Sequence, residues 1–382
     1  MFVWLFLISL NKYKMKKINS FLSVLFITLF ISCQKEAGIV ILPDSYNFDN
    51  VNLSGQTFRI NMLSEIVTEL GKGKTQALSY TRLINMYSNT GNEFTDAALN
   101  TSGKQLRDKT FAADIPFFES MFQAAADNST AFAVSVSGNG TAGVSTSLFD
   151  ATKKYLVDSN GVEYAQIIQK GLMGAIFYYR IVEEYTTKDK LDPADNTTVV
   201  PGEGTAMQHF WDEAFGYFGV PAILTVANYD SLNTAKALKF YGTYASKGKS
   251  VGTIENTLKA YIKGRDAINR KDYTTRDAAA ADIRKNLELI NACAFISYMN
   301  QSKASIDDYA IRCHTLSEGF GFLLALQYNS EKKISTADFN LVKANFYKNG
   351  NLSTYHITTT DINTMIDKIS TVYGLDAVKA TL

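Results

Sequence analysis

His209-Phe210-Trp211-Asp212-Glu213-Ala214-Phe215-Gly216-Tyr217 and His314-Thr315-Leu316-Ser317-Glu318-Gly319-Phe320-Gly321-Phe322 share one pattern: His, three residues, Glu, one residue, then Phe-Gly-aromatic. The offset, 314 − 209 = 105 residues, is about the length of a small domain. The chain has three histidines, and two of them stand here. Outside the N-terminal leader its only Trp, Trp211, stands here too. On a helix, residues i and i+4 share a face, so His209 pairs with Glu213 and His314 with Glu318. Gly216 and Gly321 each cost about 1 kcal/mol of helix propensity, which close approach of another backbone would justify. The repetition predicts two pseudo-symmetric helical bundles whose His/Glu pairs converge on one polar site.

Working outward, hydrophobic residues recur at helical spacing along most of the chain. Ile60, Leu63, Ile66, Val67 and Leu70 predict a helix over 59–71, paired with one over 75–88. Further helices are expected near 113–126 and over 161–186, with the Ser/Gly-rich stretch 135–147 between them read as a loop. Thr205-x-x-Gln208 resembles a capping box and starts the helix that carries His209. From about 254 the chain reads as almost wholly helical, with caps at Ser305, Ser335 and Thr358. The fold class is all-α: bundles over 58–235 and 236–382 after a short irregular lead-in.

Met15-Lys16-Lys17 opens a basic segment, Phe21 to Ile31 is apolar, and Phe30-Ile31-Ser32-Cys33 closes it. That is the order of a signal peptide over residues 1–32, and its core is short for a membrane span of about 20 residues. Residues 1–14 look like an upstream extension, Met15 being the natural start. The closing residues resemble the lipobox of bacterial lipoproteins, which implies lipidation of Cys33 and a tether over 33–57. An uncleaved signal anchor is the alternative; both place the protein in the cell envelope. The 38 basic and 37 acidic residues nearly cancel, so nothing points to nucleic acid. Cys293 and Cys313 read as two buried thiols or as a facing pair.

Neutral imidazole with carboxylate suits a metal of intermediate hardness, iron or zinc. The expected ligands are His209, Glu213, His314 and Glu318, with Asp212, Ser317, Trp211 and Tyr217 lining the site. The order is neither Glu-x-x-His of di-iron bundles nor His-Glu-x-x-His of zinc peptidases. The bland alternative is that each pair clasps its own bundle. Arg265 and Glu288, both expected in apolar surroundings, read as partners, and His356 as exposed. No nucleophile elbow, phosphate loop or dinucleotide fingerprint occurs.

With those residues quoted, the chain resembles the imelysin-like superfamily of bacterial envelope proteins, and more closely a group of uncharacterised surface lipoproteins associated with it. Tyr46-Asn47-Phe48, Ser54-Gly55-Gln56, the block from His209 and the stretch from His314 to Phe322 carry the resemblance. It implies two duplicated helical bundles, a site at their junction and a role in iron uptake. In the superfamily's Gly-x-His-x-x-Glu motif, His209 matches the His and Asp212 the acid, while Met207 replaces the Gly. In the second stretch Ser317 stands at the acid position and Arg312 at the Gly position. These departures argue against peptidase activity. The expected function is an outer-membrane lipoprotein that binds a metal or metal chelate without turnover and hands it to a transporter or other uptake protein. A metal-dependent hydrolase with Glu213 as base, and a partner-binding protein with the pairs as clasps, are the alternatives.

Overall fold

A computed structural model describes residues 40–136 and 138–382. The leader, Cys33 and the first part of the tether lie outside the described residues. The protein is mainly helical, as its periodicities predict. The principal helices are α1 (Ser54–Gly71), α2 (Tyr80–Ser88), α3 (Ile115–Ser129), α4 (Tyr164–Leu172), α5 (Ala206–Phe218), α6 (Thr253–Asn269), α7 (Tyr273–Ala304), α8 (Tyr309–Ala325), α9 (Thr336–Ala344) and α10 (Thr359–Tyr373). Short turns of helix at Ala97–Thr101, Lys188–Leu191, Tyr229–Thr234 and Tyr241–Tyr244 connect them. Helix α4 runs on without a break through π turns at Met173–Tyr178 and Ile181–Tyr185.

The ends of these helices follow local chemistry. Thr205 and Gln208 form the expected capping box at α5, which satisfies backbone donors that the first turn leaves free. Ser335 and Thr358 cap α9 and α10. At α8 the cap is Asp308, not Ser305: its carboxylate accepts from the Ala310 and Ile311 amides and also from the Ser147 hydroxyl at 2.6 Å. A carboxylate serves both purposes, which a hydroxyl at Ser305 would not.

The stretch expected as a loop holds strands. Ser135–Val136 (β1) pairs in parallel with Gly143–Thr146 (β2), which pairs antiparallel with Lys154–Val157 (β3). Val144, between Gly143 and Ser145, and Val157, between Leu156 and Asp158, are buried, a pattern too short for periodicity to register. A second ladder joins Tyr347–Lys348 to Asn351–Leu352.

The 32-residue α7 is about 48 Å long at 1.5 Å per residue. It packs on α6, α8 and α10, while α8 also packs on α4 and α5 packs on α1 and α6. These contacts cross the expected boundary at 235/236, and residues 43–382 group as one compact unit. Whole helices from both sides of that boundary share one core, because α4 and its π turns supply walls to α5 and α8 alike. Cys293 and Cys313 are buried free thiols, and burial pushes the Cys313 thiol up to about 11.

The tightest contact is at Gly264 on α6. The Trp211 ring lies over it, and a Cβ there would come within 1.9 Å of the ring. The Trp211 Nε1 donates to the Tyr261 carbonyl at 2.9 Å, so the indole is held at both edge and face. Gly264→Ala is therefore expected to overpack the core and cost about 1–3 kcal/mol, read as a lower urea midpoint at unchanged slope.

Candidate functional site

The doubled motif lands on two helices that the structure keeps apart. On α5, His209 is half-buried: its Nδ1 lies 2.9 Å from a Glu203 oxygen without hydrogen-bond geometry. Glu213 does not meet His209. One of its oxygens accepts from the Gln56 amide at 2.9 Å and from the Tyr185 hydroxyl at 3.4 Å. Asp212, expected to reach a ligand, is wholly buried and bonded within the protein. Its Oδ1 accepts from Arg265 Nε at 2.8 Å and from the Tyr46 hydroxyl at 2.6 Å. Arg265 thus pairs with Asp212 rather than with Glu288, which accepts instead from the Tyr373 hydroxyl, the Asn329 amide and the Lys333 backbone. Trp211 and Tyr217 are core residues, the latter stacked on Phe177 with ring centres 5.3 Å apart. His356 is half-buried, with Nε2 3.0 Å from the Asn345 carbonyl.

The copy on α8 is assembled differently. His314 lies between two carboxylates: Nδ1 is 2.6 Å from Glu163 and Nε2 is 3.3 Å from Glu318. Its ring stacks on Tyr155 of β3 at 4.0 Å. The other oxygen of Glu318 takes the ammonium of Lys170 at 2.8 Å, and Lys170 also donates to Gln166 and Gln169. Ser317 accepts from the Glu163 backbone N–H at 3.0 Å and donates to the Cys313 carbonyl. All these groups meet at the N-terminal half of α4.

Both glycines of the motif sit at close approaches, as their helix cost implies. A Cβ on Gly216 would meet Gln56 of α1 at 2.8 Å, and one on Gly321 would meet Lys170 of α4 at 2.4 Å. The approaching helices are thus α1 and α4, and α5 and α8 do not cross there. Lys170 and Tyr185, which receive Glu318 and Glu213, stand 15 residues apart on one continuous helix, an axial distance on the order of 20 Å. Zinc-like coordination needs bonds of about 2.1 Å to one ion. The two pairs therefore do not form a shared site, and among the described residues no cluster of His, Cys, Asp and Glu has metal-holding geometry.

What adjoins the α8 network is a cavity of about 170 Å³. Its floor is apolar: Val67 and Leu70 of α1, Leu78, Ala125 of α3 and Leu156 of β3. The Ser129 hydroxyl accepts from the Leu78 amide at 2.7 Å and ties that floor to α3. Polar groups occupy the remaining wall: Glu163, Gln166 and Gln169 of α4, Tyr155, Asn128, and Lys74 at the exposed edge. Glu163 belongs to both places. Its Oε2 faces His314, while Oε1 has only a 3.4 Å contact from Gln166. Asn128 Oδ1 is buried without a hydrogen-bond partner, which in a native interior calls for a physical explanation. Sequence reasoning missed this cavity because its walls come from four separated segments; Glu163 directly before an amphipathic helix was the available signal.

The electrostatics of the network follow from burial and charge. Burial pulls the His314 imidazole down, but the Glu163 carboxylate and then Glu318 outweigh it and leave the histidine above its ordinary 6.5. Burial pushes Glu318 up, but Lys170 and His314 outweigh it and hold the carboxyl below 4.5. Burial, then the Glu163 charge, pushes the Tyr155 hydroxyl up to about 12. A raised histidine stabilises the fold fully below pH 6.5 and ceases to do so as pH rises through its folded value. A depressed Glu318 contributes above 4.5 and loses its effect as pH falls through its folded value. Urea midpoints measured from pH 4 to pH 9 should fall on the alkaline side for the natural chain, and His314→Gln should flatten that limb alone.

Asp212 behaves as a buried anchor. Burial pushes its carboxyl up to about 6 against the pull of Arg265 and Tyr46, so it is ionised and paired near neutrality. Asp212→Ala leaves a buried guanidinium without its anion, expected to cost about 3–5 kcal/mol. Asp212→Leu combined with Arg265→Met should cost less than the single change, measured by chemical denaturation.

No curated protein and no solved structure matches the chain. Among the described residues no helix is long and apolar enough to cross a membrane. Residues 43–376, which span every helix of the core and both copies of the motif, match the family described as Domain of unknown function (DUF4856), and the chain belongs to that family.

Proposed function

We propose that this protein is a lipid-tethered envelope protein that binds a small ligand without turnover, in the cavity bounded by α1, α3, β3 and α4. The observation that carries the reading is Glu163: one oxygen is committed to His314 and the other stands nearly unspent on the cavity wall. The chemistry of the lining supports binding over catalysis. It contains no Ser, Thr, Cys or His, so the Ser–His and Cys–His pairs of covalent catalysis have no candidate there. The envelope address rests on the signal-like leader and Cys33. The imelysin-like resemblance is consistent with that address and with a common origin of the two motif copies, each of which sets a glycine against a neighbouring helix.

On this reading the His/Glu copies are clasps. His209 holds the loop carrying Glu203, and His314 and Glu318 hold α8 to α4. A metal-uptake role, with iron or zinc, keeps one location: His314 flanked by two carboxylates. There Lys170 already supplies the cationic charge, which favours the clasp. Elemental analysis of the purified chain separates the two. We expect no stoichiometric metal, and a lower melting temperature for His314→Ala; one equivalent of iron or zinc that disappears in His314→Ala would replace this reading with the metal site.

A further inference from the structure

We infer that the cavity beside the His314 network recognises a free amino acid with a small apolar side chain. This rests on the binding role proposed above and assigns its ligand class. Three observations carry it.

The first is size. A cavity of about 170 Å³ is close to the roughly 150 Å³ that holds benzene in an apolar core. The apolar part of the ligand is therefore a branched aliphatic group or a single ring. Leu70, Leu78 and Leu156 supply the matching surface.

The second is the unspent acceptors. Glu163 Oε1 has a single contact at 3.4 Å, at the long end for an N–H···O bond. Asn128 is nine-tenths buried and its Oδ1 has no partner. A carboxylate and an amide oxygen on one wall suit an ammonium group, which has three donors and no acceptor.

The third is charge balance. His314 and Lys170 compensate Glu318 and one oxygen of Glu163 inside the network. Lys74, at the exposed edge of the same cavity, has no ion-pair partner among the described residues. A simple amine would meet Glu163 but leave Lys74 facing another cation. A simple carboxylic acid would meet Lys74 but face Glu163. A zwitterion gives its ammonium donors to the Glu163 oxygen and its carboxylate to Lys74, so each of its two charges is paired as it leaves water.

Calorimetry on the full chain in detergent tests this with four probes of one shape: leucine, 3-methylbutan-1-amine, 4-methylpentanoate and neutral 4-methylpentanamide. Leucine should bind at least tenfold tighter than either singly charged analogue. Lys74→Gln, on an exposed side chain, should abolish leucine's advantage over the amine, weakening leucine while the amine binds as well or better. Ala165→Phe, on the half-exposed face of α4, should fill the cavity and weaken all binding at least tenfold. Leucine binding no tighter than the amine or the acid overturns the amino-acid assignment. If only the neutral amide binds, and Ala165→Phe blocks it, the assignment falls and the cavity stands as a binding site. If no probe binds, or binding ignores Ala165→Phe, the binding role falls as well.

Discussion

Lys170 is the residue around which α4 and α8 are joined. It is almost wholly buried, and an ammonium taken out of water without a partner is too expensive to keep charged. Glu318 supplies the charge at 2.8 Å, and Gln166 and Gln169 take up the remaining donors. That arrangement requires the two helix backbones to come close, which Gly321 permits by presenting no Cβ to the Lys170 stem. Once α8 is at that distance, His314 reaches Glu163 and Ser317 caps the Glu163 amide. Each contact presupposes the one before it, so the network closes as a unit. Its benefit is positional: a pair of this kind contributes little net stability over an apolar pair but fixes one register of α8 on α4.

The copy on α5 spends the same residue types on a different problem. Tyr46, in the irregular segment before α1, stacks on Phe215 at 3.7 Å and donates to Asp212. Arg265 reaches from α6 to the same carboxylate and to the Asp49 carbonyl. The result fastens the start of the compact unit across two helices. Here the buried acid is at motif position four, where the other copy has Ser317, and the His/Glu positions are left to half-exposed contacts. One pattern of residues thus serves two mechanical tasks, because the segment that approaches each glycine differs: Gln56 in one case, Lys170 in the other.

This difference marks the limit of what the chain discloses before folding. Periodicity located the long helices because 3.6-residue repetition is a local property, and Thr205, Ser335 and Thr358 located helix starts because capping spans only three or four residues. The two motif glycines were legible as close approaches because nothing within a helix favours glycine. The identity of the approaching partner was not legible. Glu163, Lys170, Gln56 and Tyr46 lie 151, 148, 157 and 166 residues from His314, Glu318, Glu213 and Asp212 respectively, and no local rule links them. The expectation that the two copies would face each other met its limit at this step, since matching sequence implies matching helices but not facing ones. The short strands escaped for a related reason: β2 is four residues long and draws its stability from pairing, not from pattern.

The cavity follows from the network and is not an independent feature. Helix α4 must begin directly after Glu163 for that residue to meet His314, and it must continue past Gln169 for Lys170 to meet Glu318. Those two requirements leave Gln166 and Gln169 along one flank of α4, where they line the cavity together with apolar side chains of α1 and α3. Glu163 is held from behind by the His314 imidazole at 2.6 Å, so its carboxylate is oriented without help from the cavity side. A group positioned in this way costs no reorganisation when a donor arrives, which is the condition under which a small ligand binds well despite few contacts. The clasp and the binding surface are therefore two faces of one carboxylate, and the stability of the α4–α8 junction is what pre-orients the site.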